Sequence, residues 1–241
     1  GAKPQRLVVT SERIESTRVR DLFEIAENLG MTVARLPSLS DFKNDLSAGM
    51  TVKPIDVEDL LGRPQTSLDQ VAVRKFISGR RVLVTGAGGS IGSELVRQLA
   101  KLGPSHLTLL DSSEYNLFRI DLEVGDQFPE MDKIAIIADV RDFSRIDDIF
   151  RRHTPEIVFH AAALKHVPLV ESNILEGAAT NILGTQNVAG AARAVGVDTF
   201  VQISTDKAVN PTNVMGATKR LAEIYCQALD LSNERSDDRA F

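Results

Sequence analysis

Five short apolar runs, separated by stretches of helical spacing, occupy the chain from Arg80 onward, and this alternation limits the fold more than any other feature. The runs are Arg81 to Thr85 (RVLVT), Leu107 to Asp111 (LTLLD), Lys133 to Ala138 (KIAIIA), Ile157 to His160 (IVFH) and Thr199 to Ser204 (TFVQIS). Each is apolar over most of its length, which suits strands buried on both faces. Helical spacing fills Ser90 to Leu102, Glu114 to Val124, Ser144 to Arg152 and Glu176 to Ala194, and a last helix covers Met215 to Leu229. Repeated strand-helix units require a parallel sheet with right-handed crossovers. The predicted fold is therefore α/β, a doubly wound parallel sheet of Rossmann type over residues 80–241.

The first 36 residues carry a smaller unit of the same kind. Arg6 to Thr10 reads as a strand, Ser16 to Leu29 as a helix stopped by Gly30, and Met31 to Leu36 as a second strand. One strand-helix-strand unit is too small to close a core alone. Residues 37–79 are mixed and polar, broken by Pro54 and Pro64, and read as a linker packed on the next domain. With 28 basic and 33 acidic residues the net charge is -5, which offers nucleic acid no broad attraction. A single cysteine, Cys226, excludes a disulfide framework and a clustered zinc site, so no metal is expected and a cytoplasmic setting fits. No apolar run has the length of a membrane span.

The first strand runs directly into TGAGGSIGSE, where Gly86, Gly89 and Gly92 stand at the mouth of a helix. Glycines there permit a tight turn and close approach of backbone to a pyrophosphate, and Ser90, Ile91 and Gly92 begin a helix whose free N–H groups face the anion. The motif in this context points to dinucleotide binding; alone it would be a tight strand-helix turn. Asp111, at the end of the second strand, is placed for the adenosine ribose hydroxyls. No arginine adjoins it in DSSEYN, which favours NAD over NADP. Its other reading is a helix cap. Asp139 and Val140, at the end of the third strand, are placed at the adenine edge, though Asp139 also suits a turn.

The glycine spacing, the HAAALKHVP segment at His160 to Pro168 and the ISTDKAVNPTNVMGATK segment at Ile203 to Lys219 together resemble extended short-chain dehydrogenase/reductases. More narrowly they are similar to the UDP-N-acetylglucosamine 4,6-dehydratases of bacterial polysaccharide biosynthesis, in the large membrane-anchored branch that makes capsule and O-antigen precursors. The likeness covers roughly Leu36 to Asp230. It implies an inner-membrane anchor ahead of this segment, a preceding α/β domain of which residues 1–36 are the remnant, a sugar-nucleotide portion after it, and a homo-oligomer acting on a UDP-sugar with NAD. On that reading the chain is truncated before its substrate-binding subdomain, and this piece alone turns over little.

The resemblance also assigns roles. Thr205 bonds the sugar O4, Asp206 protonates the departing C6 hydroxyl and Lys207 removes the C5 proton. A lysine base has to be neutral, for which Lys219 and Lys165 are candidate neighbouring cations. Lys219 holds the nicotinamide ribose. One turn before it the superfamily usually carries tyrosine; here the position is Met215, which exchanges no proton, as in the large membrane-type branch. Ala161, Ala162 and Ala163 line the cofactor, Lys165 and His166 lie near substrate or the subunit contact, and Asn181, one turn before Thr185, contacts the loop that positions the nicotinamide. Two rivals remain open: a nucleotide-sugar 4-epimerase, which needs no acid at O6, and a dinucleotide-binding module without chemistry.

Overall fold

The computed structural model describes residues 69–234 continuously and, before them, 6–9, 31–35, 53–54 and isolated positions between. It divides into two units, 1–68 and 69–241. In the first, β1 (Arg6–Val9) pairs in parallel with β2 (Thr32–Arg35), as a strand-helix-strand unit requires, and Leu22, Ile25 and Ala26 between them are helical. β3 (Lys53–Pro54) adds antiparallel to β2. The interval read as linker thus holds a short strand. Its other end holds the helix α1 (Gln70–Ile77), capped by Asp69 and belonging to the second unit.

The second unit is the expected doubly wound sheet. Its strands are β4 (Arg81–Thr85), β5 (His106–Asp111), β6 (Lys133–Ile137), β7 (Ile157–His160) and β8 (Thr199–Gln202), all parallel, in the order β6-β5-β4-β7-β8. The crossovers are α2 (Ser90–Lys101), α3 (Glu114–Gln127), α4 (Phe143–His153) and α7 (Gly184–Val195), with α8 (Val214–Glu234) last. Alternation along β4 sends Val82 and Val84 into one core, with Val96, Leu99, Leu117 and Ile120, and Leu83 into another, with Ile146, Phe150, Val158 and Val188. Strand order reverses at β4, where the chain leaves in one direction to β5 and in the other to β7. A crevice opens beyond the carboxyl ends of the strands at such a point.

Three readings are corrected. Strand β6 is not buried on both faces: it closes one edge of the sheet, and Ile134 and Ile137 are exposed. The helix read from Glu176 to Ala194 is three pieces, α6 (Ile174–Ala178), a π-helical turn (Ala179–Leu183) and α7. Within it the Thr185 hydroxyl bonds the Asn181 carbonyl at 2.7 Å, a local competitor for a helical acceptor. Finally, α5 (Val167–Ser172) follows the HAAALKH segment, where no helix was expected, with Pro168 in its first turn.

Candidate functional site

One cleft of about 630 Å³ lies over the carboxyl ends of β4, β5, β7 and β8. Its floor is the glycine turn. Gly86 has a φ of 64°, and a side chain there would stand 2.6 Å from the Ala162 nitrogen. A side chain on Gly92 would overlap the Gly86 carbonyl oxygen, so helix and turn close only without one. Unlike α1, α3 and α4, whose N-caps Asp69, Ser113 and Asp142 accept from their first turns, α2 begins at Gly89 without a side-chain cap. Its N–H groups and positive dipole end are left to an anion in the cleft.

Asp111 also stands in the cleft, and its two oxygens are already engaged. One accepts from the Gly88 N–H at 2.9 Å and the other from Ser113 N–H at 2.8 Å. The carboxylate therefore pins the glycine turn while keeping lone pairs for a ligand hydroxyl. The cap of α3 is Ser113, not Asp111. Asp139 and Val140 line the same end, but the Asp139 carboxylate is held by Arg141, whose guanidinium keeps its pKa below the usual range. Arg141, absent from the sequence reading, reaches on to Glu176 at 2.6 Å, so an ion pair spans this end of the cleft. Asn187 fixes the loop beneath it through the Val140 carbonyl at 2.9 Å.

At the other end, Thr205, Lys207, Met215 and Lys219 line the cleft with Ala161, Ala162, Ala163, Lys165 and His166. Asp206 does not: its side chain is 78% exposed, and its carboxylate lies 3.0 Å from the Thr205 hydroxyl and 3.4 Å from the Lys207 ammonium. Those two donors hold its pKa below the usual range. The expected cations are otherwise engaged. Lys165 reaches the Ser90 hydroxyl at 3.4 Å, and Lys219 donates to the Ile203 carbonyl at 2.5 Å. Burial lowers the pKa of Lys219. Cys226, half-buried in α8, is pushed up to about 11 by burial and is a poor nucleophile.

Asn181 lies behind the cleft rather than in it, facing out of the π turn. Its carbonyl oxygen accepts from Leu164 N–H at 2.8 Å, and its amide donates to the Leu164 carbonyl and the Thr218 hydroxyl, each at 2.9 Å. It thus clamps the segment after Ala163 to α8. The buried chain extends through Thr185 and His160 to Thr85, side chains whose roles sequence reasoning left unread. The available signal was polar residues at the ends of otherwise apolar strands.

A family model described as polysaccharide biosynthesis protein matches residues 82–241. The capsular polysaccharide biosynthesis protein CapD of Staphylococcus aureus is 39% identical over 96% of this chain and 39% of its own length. A UDP-N-acetylglucosamine 4,6-dehydratase (inverting) of Campylobacter jejuni is 38% identical over 60% of the chain and 42% of its own. A UDP-glucose 4-epimerase of Rickettsia rickettsii is 37% identical over 60% and 42%. Among solved structures, a double mutant of the dTDP-glucose 4,6-dehydratase DesIV from Streptomyces venezuelae, with NAD bound, superposes with a TM-score of 0.56 at 27% identity, covering 63% of this chain and 52% of that one. The chain spans about two fifths of the length of the curated relatives it matches. No described helix is long and apolar enough to cross a membrane.

Proposed function

The chain belongs to the polysaccharide biosynthesis protein family, a group with a nucleotide-sugar-modifying role, and on that premise we propose that it binds NAD and carries the catalytic groups of a UDP-N-acetylhexosamine 4,6-dehydratase. The observation that carries the reading is one cleft holding both the glycine turn and Thr205, Lys207, Met215 and Lys219. The cradle fits a dinucleotide: the glycine contacts that exclude a Cβ and the uncapped start of α2 suit a pyrophosphate, and Asp111 suits a ribose. Bound NAD supplies a reversible hydride acceptor.

This chain's residues handle the protons. The Thr205 hydroxyl bonds the sugar O4 and relays its proton to the Asp206 carboxylate as the C4 hydride leaves. Lys207 removes the proton at C5 once C4 is a ketone, and Asp206 passes the proton it gained to the departing C6 hydroxyl, which leaves as water. Lys219 holds the nicotinamide ribose from α8. Met215, on the same face one turn earlier, transfers no proton, which favours dehydration over 4-epimerisation. The substrate we favour is UDP-N-acetylglucosamine. Membrane attachment through an adjoining segment, a cytoplasmic orientation and self-association belong to the same proposal.

The test is proton NMR of UDP-N-acetylglucosamine incubated with NAD and the protein expressed from its complete reading frame. A 4-keto-6-deoxy sugar is expected. The C4 epimer would make the protein an epimerase, and bound NAD with no product would make it a binding module.

A further inference from the structure

His160 is fully buried at the end of β7, where its ring meets two hydroxyls. The Thr85 hydroxyl lies 2.6 Å from Nδ1, and the Thr185 hydroxyl 3.0 Å from Nε2. A hydroxyl has one hydrogen, and that of Thr185 is directed to the Asn181 carbonyl at 2.7 Å. Thr185 therefore accepts from His160, so the imidazole proton sits on Nε2. Nδ1 is then bare and accepts from Thr85, whose oxygen in turn accepts from Ala162 N–H at 3.4 Å. Thr185 bonds the main-chain carbonyl of Asn181; a second set starts from the Asn181 side chain, whose amide donates to Thr218, and Thr218 donates to the Met215 carbonyl at 2.7 Å.

The two sets meet at Asn181 and together reach the glycine turn, the alanine loop and α8. Thr85 is the residue before Gly86. Ala162 lies against Gly86 closely enough to exclude a side chain there. Asn181 holds Leu164, and Thr218 stands between Met215 and Lys219 on α8. The His160 backbone joins as well, its carbonyl accepting from Ile203 N–H at 3.0 Å just before Ser204 and Thr205. The set running through His160 has only one satisfied proton arrangement, and a buried unsatisfied group in it is costly.

We infer that His160, as the neutral Nε2–H tautomer, is a positioning residue that sets the glycine turn, the alanine loop and α8 in mutual register for the cofactor. Burial, reinforced by the nearby Lys219 charge, lowers its pKa to about 3, so the required form persists across the physiological range. The inference rests on the NAD-binding reading, and the test separates the two.

Calorimetric titration of the unmutated chain with NAD comes first; no binding there would sink the NAD-binding reading itself. His160→Phe keeps an aromatic ring but removes both bonds, and is expected to bind NAD at least about tenfold more weakly at a temperature where it is fully folded. His160→Gln, which reaches one hydroxyl, should fall between. Ile146→Val, a buried change on α4 away from the cleft, supplies a destabilised control whose NAD affinity should be unchanged. Unaltered affinity in His160→Phe, or in His160→Gln if the first variant does not fold, would reduce His160 to a stabilising residue and overturn the inference. Imidazole ¹⁵N shifts of the unmutated protein should show a protonated Nε2 and a bare Nδ1 from pH 5 to 8. The opposite tautomer, or titration near 6.5, would also overturn it.

Discussion

Gly92→Ala is the sharpest perturbation the glycine turn offers. The new methyl would overlap the Gly86 carbonyl oxygen, stand 2.7 Å from its carbon and lie 3.1 Å from the Ala87 Cα. All three obstacles are backbone, so no side chain can rotate away. Restoring ordinary contact with that oxygen requires the turn or the start of α2 to move by about 1.5 Å. That movement takes the Gly86 carbonyl from the Gly89 N–H, now 3.0 Å away. Overpacking of this kind costs about 1–3 kcal/mol and the turn bond about 1 kcal/mol more. In a unit of this size the total corresponds to a fall in Tm of roughly 4–15 °C. NAD affinity should fall further, by about 100-fold, because the displaced N–H groups are those aimed at the pyrophosphate. Gly89→Ala is the internal comparison. Its methyl would meet only the Gly86 oxygen at 3.2 Å, so its losses should be several-fold smaller. Calorimetric titration and thermal melts of the three proteins decide. Gly92→Ala binding NAD within threefold of the unmutated chain, with an unchanged Tm, would refute the close-approach argument.

NAD should bind more tightly than NADP, since a 2′-phosphate would meet the Asp111 carboxylate; equal affinities by titration, unchanged in Asp111→Ala, would remove that role. In the protein from the complete reading frame, Asp206→Asn and Lys207→Ala should each lower turnover by at least about 100-fold with little change in NAD affinity, and Met215→Ala much less. Solvent deuterium exchange at C5 that survives Lys207→Ala but not Asp206→Asn would exchange the two roles. Glu176→Gln should speed NAD release and make it less sensitive to salt, because it removes one arm of the Arg141 bridge; stopped-flow release rates at two ionic strengths read this directly. Acid should destabilise the fold through His160. With a folded pKa of about 3 against 6.5 unfolded, the unfolded chain takes up the proton first, so stability is intact above pH 6.5 and declines as pH falls toward 3. The loss by pH 5 is about 2 kcal/mol in denaturant unfolding, and His160→Gln should abolish that part of it.

The frame of the fold was legible because its signals are local. Arg81–Thr85 and Ile157–His160 coincide with β4 and β7, bounded by charge or glycine on one side and a change of period on the other. The glycine turn and Asp111 were readable for the same reason. What escaped depends on partners far apart in sequence. Thr85 and His160 are 75 residues apart, and Arg141 and Glu176 are 35 apart; no spacing rule joins them. The π turn escaped because apolar periodicity counts one face of a helix and does not register a residue inserted between its turns. Asp206 was placed correctly in the chain, at the strand's carboxyl end, yet the direction of its side chain depends on the turn Asp206–Ala208, which brings Lys207 rather than Asp206 to the cleft.

That turn exposes a division of labour between the two kinds of polar group. His160, Asn181, Thr185 and Thr218 are buried, each with its hydrogen bonds satisfied inside the protein, and none faces a ligand except through others. Their arrangement is complete before anything binds, which is what a preorganised cradle requires. The groups assigned to proton transfer are at the opposite extreme: the Lys207 and Asp206 side chains are 51% and 78% exposed and 3.4 Å apart, with the Thr205 hydroxyl nearer to Asp206 at 3.0 Å. An ion pair so open to water is weak, so its geometry is cheaply rearranged. On the roles proposed for them, exclusion of water from Lys207 and rotation of Asp206 toward the cleft would accompany ligand binding. On that proposal cofactor affinity and turnover rest on different residues: substitutions among the buried groups should act on the first, and substitutions at Asp206 and Lys207 on the second.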